Sequence, residues 1–126
     1  KGNFGNDILN LLGGDGNDYL DQEASDGNDT MHLDTGLGND TALLNAGTGD
    51  DTITYDVSSG TDTVTINGGD GTDTLTVNKN SYSVIIKDSN GNTIYNGGAG
   101  GTTITINNVE HGVVKSEENG STLFSW

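Results

Sequence analysis

Two residue types recur at a spacing that could do chemistry. Aspartate stands at Asp7, Asp18, Asp29, Asp40, Asp51, Asp62 and Asp73, and glycine precedes each by two places, at Gly5, Gly16, Gly27, Gly38, Gly49, Gly60 and Gly71. The interval is 11 residues, repeated seven times without a slip between Gly2 and Asn78. Further glycines gather ahead of these columns at Gly13, Gly14, Gly36, Gly47, Gly68 and Gly69, with further carboxylates at Asp15 and Asp26. Glycine-rich turns point carbonyl oxygens one way, and a carboxylate two residues later adds formal charge to that oxygen-rich rim. Oxygen donors without nitrogen or sulfur select calcium over zinc or copper, and a mostly backbone cage of adjustable size suits calcium better than magnesium's octahedron. The chemistry of this pattern is therefore that of an oxygen-rich rim suited to calcium.

Such sites require the turns to lie in register, and the sequence between them supplies the means. Each unit divides into a six-residue loop and a five-residue strand, as in Gly13-Gly14-Asp15-Gly16-Asn17-Asp18 followed by Tyr19 to Glu23. The second and fourth strand positions are apolar: Leu9/Leu11, Met31/Leu33, Ala42/Leu44, Ile53/Tyr55, Val64/Ile66 and Leu75/Val77, with Gln22 beside Leu20 as the polar intruder. Alternation with period two describes a strand with one buried face. An 11-residue period also fits a right-handed helical coiled coil, but the repeated glycines and Thr-rich strands exclude a continuous helix.

Composition narrows the partners. The 126 residues amount to one domain, and Lys1 in place of an initiator Met suggests a piece of something longer. A formal net charge of -15, from 19 acidic and 4 basic side chains, argues against nucleic acid or an anionic membrane surface and for a cation. No cysteine is present, so neither disulfides nor thiolate sites hold the fold. No apolar run approaches a membrane span. Two inward side chains per unit make a thin core against the entropy of ordering the chain. With acidic loops repelling one another, metal binding and folding are expected to be one event.

After Asn78 the repeat stops. Residues 1–78 read as the calcium-binding repeats, and 79–126 as an inserted hairpin, a metal-free eighth repeat and a cap belonging to the same domain. The hairpin pairs Tyr82 to Lys87 with Thr93 to Asn96 around Ser89-Asn90-Gly91, since Asn-Gly favours the positive φ of a tight turn. The eighth strand, Thr103 to Asn107, copies Thr63 to Asn67, but Thr102 replaces the aspartate. A last hairpin pairs Val113 to Ser116 with Thr122 to Trp126 around Glu118-Asn119-Gly120, and Leu123, Phe124 and Trp126 are expected to cover the open end of the stack.

The repeats resemble the calcium-binding repeats of the RTX (repeats-in-toxin) family, whose nonapeptide is G-G-x-G-x-D-x-U-x. Gly13 to Asp21 and Gly68 to Thr76 match at every defining position; Thr35 to Leu43 and Ala46 to Thr54 match with one or two substitutions. The resemblance implies an all-β fold, a right-handed parallel β-roll, here with 11-residue half-coils and a C-terminal β-hairpin cap. Loops one, three, five and seven would lie on one edge and two, four and six on the other. Calcium would sit between loops two units apart, about five ions in all, with the aspartate column and the glycine carbonyls as ligands. The period of 11 rather than nine implies a wider roll, with strands of about 17 Å. Family members are exported unfolded through a one-step secretion channel into calcium-rich surroundings, which implies an extracellular or cell-surface place. The module would be non-catalytic and would stabilise or assist an adjacent domain. Alternatives are a polymer-binding accessory module of an extracellular protease, lipase or alginate epimerase, touching polysaccharide or a surface ligand, or an adhesin or surface-layer segment.

Other features have plainer readings. His32 lies at an outward strand position and His111 in the cap, with no nucleophile motif beside either. The outward Thr-x-Thr rows resemble an ice-binding array, but cross-strand packing explains them, and Tyr19, Asp21, His32 and Leu43 interrupt them. Asp88 to Asn92 looks like the start of an EF-hand loop but lacks its sixth-place glycine and distal glutamate.

Overall fold

A computed structural model describes residues 1–116 and 120–126. It is all-β, with no helix among the described residues. Four short strands, β1 (Ile8–Leu12), β3 (Thr30–Asp34), β5 (Thr52–Asp56) and β7 (Thr74–Asn78), stack in parallel as one sheet, while β2 (Tyr19–Asp26), β4 (Thr41–Thr48) and β6 (Thr63–Asp70) stack as the other. Register advances in steps of 22 residues, Ile8 beside Thr30 beside Thr52 beside Thr74, and Tyr19 beside Thr41 beside Thr63. One coil therefore takes two units, and the chain winds a parallel β-solenoid with odd and even loops on opposite edges.

The alternation sets the core. Ile53, Tyr55, Val64, Ile66, Leu75 and Val77 are fully enclosed between the sheets. The buried register runs further than the two expected positions. Ala24, Thr35, Ala46 and Val57, which open loops three to six, are also buried. The strands are unequal too: β2, β4 and β6 run to eight residues, where five were expected. They continue because Ser25 pairs with Gly47 and Gly47 with Gly69. On the other sheet, Asp34 Oδ1 accepts the Gly36 N–H at 3.0 Å, an Asx turn that ends β3.

Beyond the repeats the chain crosses to leave a gap and then fills it. Strand β8 (Val84–Asp88) joins the even sheet one position out, pairing antiparallel with β9 (Thr93–Asn96) as the sequence predicts. Strand β10 (Thr102–Asn107) then inserts between β6 and β8, parallel to both. Thr103 to Asn107 align residue for residue with Thr63 to Asn67. Strand β11 (His111–Lys115) extends the odd sheet beside β7, and β12 (Thr122–Ser125) closes it antiparallel. The strand pairing of this hairpin is as expected; most of its turn lies outside the described residues. Phe124 and Trp126 pack on the core with Tyr95 and Ile94 of the other hairpin, the Tyr95 and Phe124 ring centroids 5.5 Å apart. Leu123 does not join them: it is 49% exposed, because alternation along β12 turns it away while Phe124 faces inward.

Coils approach closely at the loops. Gly16 and Gly38 hold the same loop position with φ of 120° and 134°, a region nearly closed to other residues. A methyl group on Gly38 would collide with the Gly16 carbonyl oxygen, whereas one on Gly16 meets nothing within 4 Å. Gly16→Ala should cost the backbone strain alone, about 1–2 kcal/mol, and Gly38→Ala the strain plus a displaced coil. Thermal melts of the two variants test the stacking, and equal losses would refute it.

Candidate metal centre

The strand period decides where the aspartates go. With Ile53 and Tyr55 facing inward, period two also sends Asp51 inward, and every repeat follows the same rule. Asp29, Asp40, Asp51, Asp62 and Asp73 are each no more than 1% exposed. This is no solvated acidic rim. Asp7, Asp29, Asp51 and Asp73 form one column on the odd edge, and Asp18, Asp40 and Asp62 form another on the even edge.

Each column is a hydrogen-bonded ladder. The backbone N–H of one aspartate donates to Oδ1 of the aspartate a coil later: Asp7 to Asp29, Asp29 to Asp51 and Asp18 to Asp40 at 2.7 Å, and Asp51 to Asp73 and Asp40 to Asp62 at 2.9 Å. A second ladder runs outside it in the opposite sense. Asn28 N–H donates to Asn6 Oδ1, Asn39 to Asn17, Asp50 to Asn28, Thr61 to Asn39 and Thr72 to Asp50, all at 2.9 Å. Asparagine directly before the aspartate was legible as a pattern, but not as a ladder, because only the 22-residue register brings these groups together.

The second carboxylate oxygen is the unusual feature. Oδ2 of Asp18, Asp29, Asp40, Asp51 and Asp73 is buried and meets no hydrogen-bond donor. Leaving a buried charged acceptor unsatisfied is costly. A carbonyl lies near such an oxygen at Gly13, where a methyl group would meet both Asp18 Oδ2 and Thr35 O, and the same arrangement recurs at Gly2 with Asp7 Oδ2 and Ala24 O. Two aspartates differ. Asp7 Oδ2, at the half-covered first coil, accepts the Asn3 N–H at 2.8 Å. Asp62 Oδ2 accepts three hydroxyls: Thr35 at 3.1 Å, and Tyr55 and Thr102 at 3.3 Å. Burial pushes the Tyr55 phenol upward, which keeps it a donor.

The remaining residues named from the sequence lie in the loops beside these columns. Gly5, Gly16, Gly27, Gly38, Gly49, Gly60 and Gly71, with Gly14, Gly36, Gly47 and Gly69, take positive φ in the loops, while Gly13 and Gly68 open theirs without it. Asp15 and Asp26 face solvent, Asp26 accepting the Thr48 hydroxyl at 3.1 Å. Sequence reasoning missed Glu110, whose Oε2 accepts the Asp73 N–H at 2.8 Å and so prolongs the odd column. The signal available was its place directly before β11, where repeats carry their aspartate.

Among the described residues no three acidic or histidine side chains converge on one point. A cation here would be held by few carboxylates and several carbonyls, a donor set that suits a hard ion of flexible coordination. The geometry fits: buried charge, unsatisfied oxygen and neighbouring carbonyls coincide. Asp88, by contrast, is locked into its hairpin turn by the N–H groups of Asn90 and Asn92, both at 2.9 Å. His32 Nε2 lies 2.7 Å from Asp56 Oδ2 on the outer face. Burial would raise the Asp56 carboxyl, but hydrogen bonds from His32 and Asn78 and the His32 charge outweigh it and hold it below its usual range. No protein-family model, curated protein or solved structure matches this chain.

Burial pushes the Asp51 and Asp73 carboxyls above their ordinary 3.8; a ladder N–H opposes this in each, and neighbouring carboxylates add to it. A raised pKa means the folded state binds more protons than the unfolded one, so stability falls as pH rises through the folded value. The metal-stripped chain should therefore gain β-structure as pH drops from neutral toward about 4. Circular dichroism in metal-free buffer checks this. The Asp56 pair has the opposite sign, but acts only below its ordinary value and on an exposed face.

Proposed function

We propose that this chain is a non-catalytic calcium-binding roll of the RTX type, which folds as it takes up Ca2+ and so stabilises or assists an adjacent domain. The carrying observation is the set of buried Asp Oδ2 atoms without donors. A roll that encloses charge it does not satisfy is poorly stable at neutral pH, and a divalent cation supplies the missing partner. Between loops two units apart, Asp7, Asp29 and Asp51 on the odd edge and Asp18 and Asp40 on the even edge would hold about five ions, completed by loop carbonyls. Five such ions would take the formal charge from -15 to about -5. What the metal supplies is fixed positive charge; the protein supplies the stacked turns.

The motif resemblance extends this reading to a secreted or surface protein that stays unfolded where calcium is scarce and folds where it is plentiful. Coupling of this kind makes metal-binding free energy part of folding free energy.

A calcium titration at neutral pH, counting bound ions by native mass spectrometry while circular dichroism follows β-structure, tests the proposal. The chain should be β-poor in excess chelator and gain strands as ions bind; strands already complete in chelator would sink it. Asp51→Asn gives a sharper sign. Asparagine keeps the Oδ1 acceptor for the Asp29 N–H while removing the charge. It should raise the calcium midpoint about tenfold or more, equivalent to about 1.4 kcal/mol, yet add β-structure in metal-free buffer. A carboxylate with a purely structural role would not show both effects.

A further inference from the structure

We infer that the row of cation sites on the odd edge continues past the last repeat, into a site that loop seven and the cap build together from Asp73, Glu110 and the carbonyl of Asn108. The inference rests on the calcium reading above and adds a site to it.

In the first two units the second aspartate oxygen lies beside a carbonyl of the next coil: Asp7 Oδ2 with Ala24 O against Gly2, and Asp18 Oδ2 with Thr35 O against Gly13. At the last repeat the same pair recurs with a partner from outside the repeats. A methyl group on Gly68 would collide with both the Asp73 carboxylate and Asn108 O. Asp73 is fully buried, and its Oδ2 has no hydrogen-bond donor. The orphan oxygen thus faces the cap, not the gap between loops five and seven.

The cap supplies what a further repeat would. Asn108 takes a φ of 49°, the left-handed turn that glycine usually provides in the loops. Glu110 Oε2 accepts the Asp73 N–H at 2.8 Å, as Asp73 Oδ1 accepts that of Asp51. His111 pairs with Thr74 and donates its N–H to Asp73 O at 3.1 Å, so Glu110 sits in register with the aspartate column. The even edge ends differently. There Thr102 takes the aspartate's position and, with Thr35 and Tyr55, satisfies Asp62 Oδ2 by hydroxyl donation. One edge closes with hydrogen bonds; the other keeps two carboxylates and a carbonyl for a divalent ion, which ties docking of the β11–β12 hairpin to calcium.

Trp126, the chain's one tryptophan, reports on this place. Its ring lies against Gly112, and its Nε1 points to Val109 O at 3.4 Å, one residue from Glu110. Terbium loaded into the full chain, excited at the red edge where only tryptophan absorbs, should emit through Trp126, and calcium should displace it. Glu110→Gln keeps an acceptor for the Asp73 N–H but loses the charge. It should bind one calcium fewer by native mass spectrometry, lose the Trp126-sensitised emission and leave the other ions in place. Trp126→Phe should abolish the emission without changing the ion count. An unchanged count and emission in Glu110→Gln overturns the inference; so does absence of Trp126-sensitised emission from the natural chain when terbium is demonstrably bound, which requires no variant to fold. A chain that takes up no calcium at all overturns the whole calcium reading instead.

Discussion

Carboxylates stacked at strand spacing are the constraint on which the rest of the molecule turns. Parallel strands put equivalent residues about 4.8 Å apart, and two unit charges at that distance repel by about 3 kcal/mol at an effective permittivity of about 20. The odd edge stacks Asp7, Asp29, Asp51, Asp73 and then Glu110 in this way. One oxygen of each later member is satisfied by a ladder N–H, but a neutral donor does not cancel the repulsion. The ladder therefore fixes where the charges stand without making their stacking favourable. Register and charge pull against each other, and the proposed cation is the term that reconciles them.

Much of the fold can be read from the chain because one period governs it. A strict 11-residue unit with two inward apolar residues calls for stacked strands of constant length, and the resemblance of the loops to RTX repeats adds that successive units face each other, so that coils repeat at 22. Ile53, Val64 and Leu75 are buried as their spacing requires. What escaped was depth. Loop and strand were divided at the aspartate, yet the backbone keeps its two-residue alternation through that boundary, carrying Asp51 inward at one end and Val57 inward at the other. Ala24, Ala46 and Val57 in the first loop position already hinted at this; a column read as a glycine turn is also a core position filled by small side chains.

The candidate site was legible in its residue types but not in its connections. Asparagine before aspartate carries no sign that Asn28 will accept from Asp50 and donate to Asn6, since these partners are adjacent only after coiling. Tyr55 shows a similar limit. Its position marks it as core, but its hydroxyl reaches across the interior to Asp62, where Thr35 and Thr102 join it. Glu110 lies outside the repeat phase altogether and enters the column because β11 happens to resume the register of β7.

Asp62 gives the comparison that separates the two ways of burying a carboxylate. It shares the burial, the ladder bond and the strand position of Asp40, yet three hydroxyls converge on the oxygen that Asp40 leaves bare. Supplying those hydroxyls takes a tyrosine from the facing sheet, a threonine from loop four and a threonine in place of the next acid. Those substitutions cannot be repeated along the row, because a tyrosine in every coil would overfill a core whose inward residues are mostly the smaller Val, Ile, Leu and Ala. Hydrogen bonding can therefore close the end of the even row, whereas its middle needs a partner small enough to fit between loops and charged enough to serve carboxylate and carbonyl together. The proposed divalent ion would meet both demands, and a side chain at Gly38, Gly47 or Gly69 would strike the carbonyl of the coil before it.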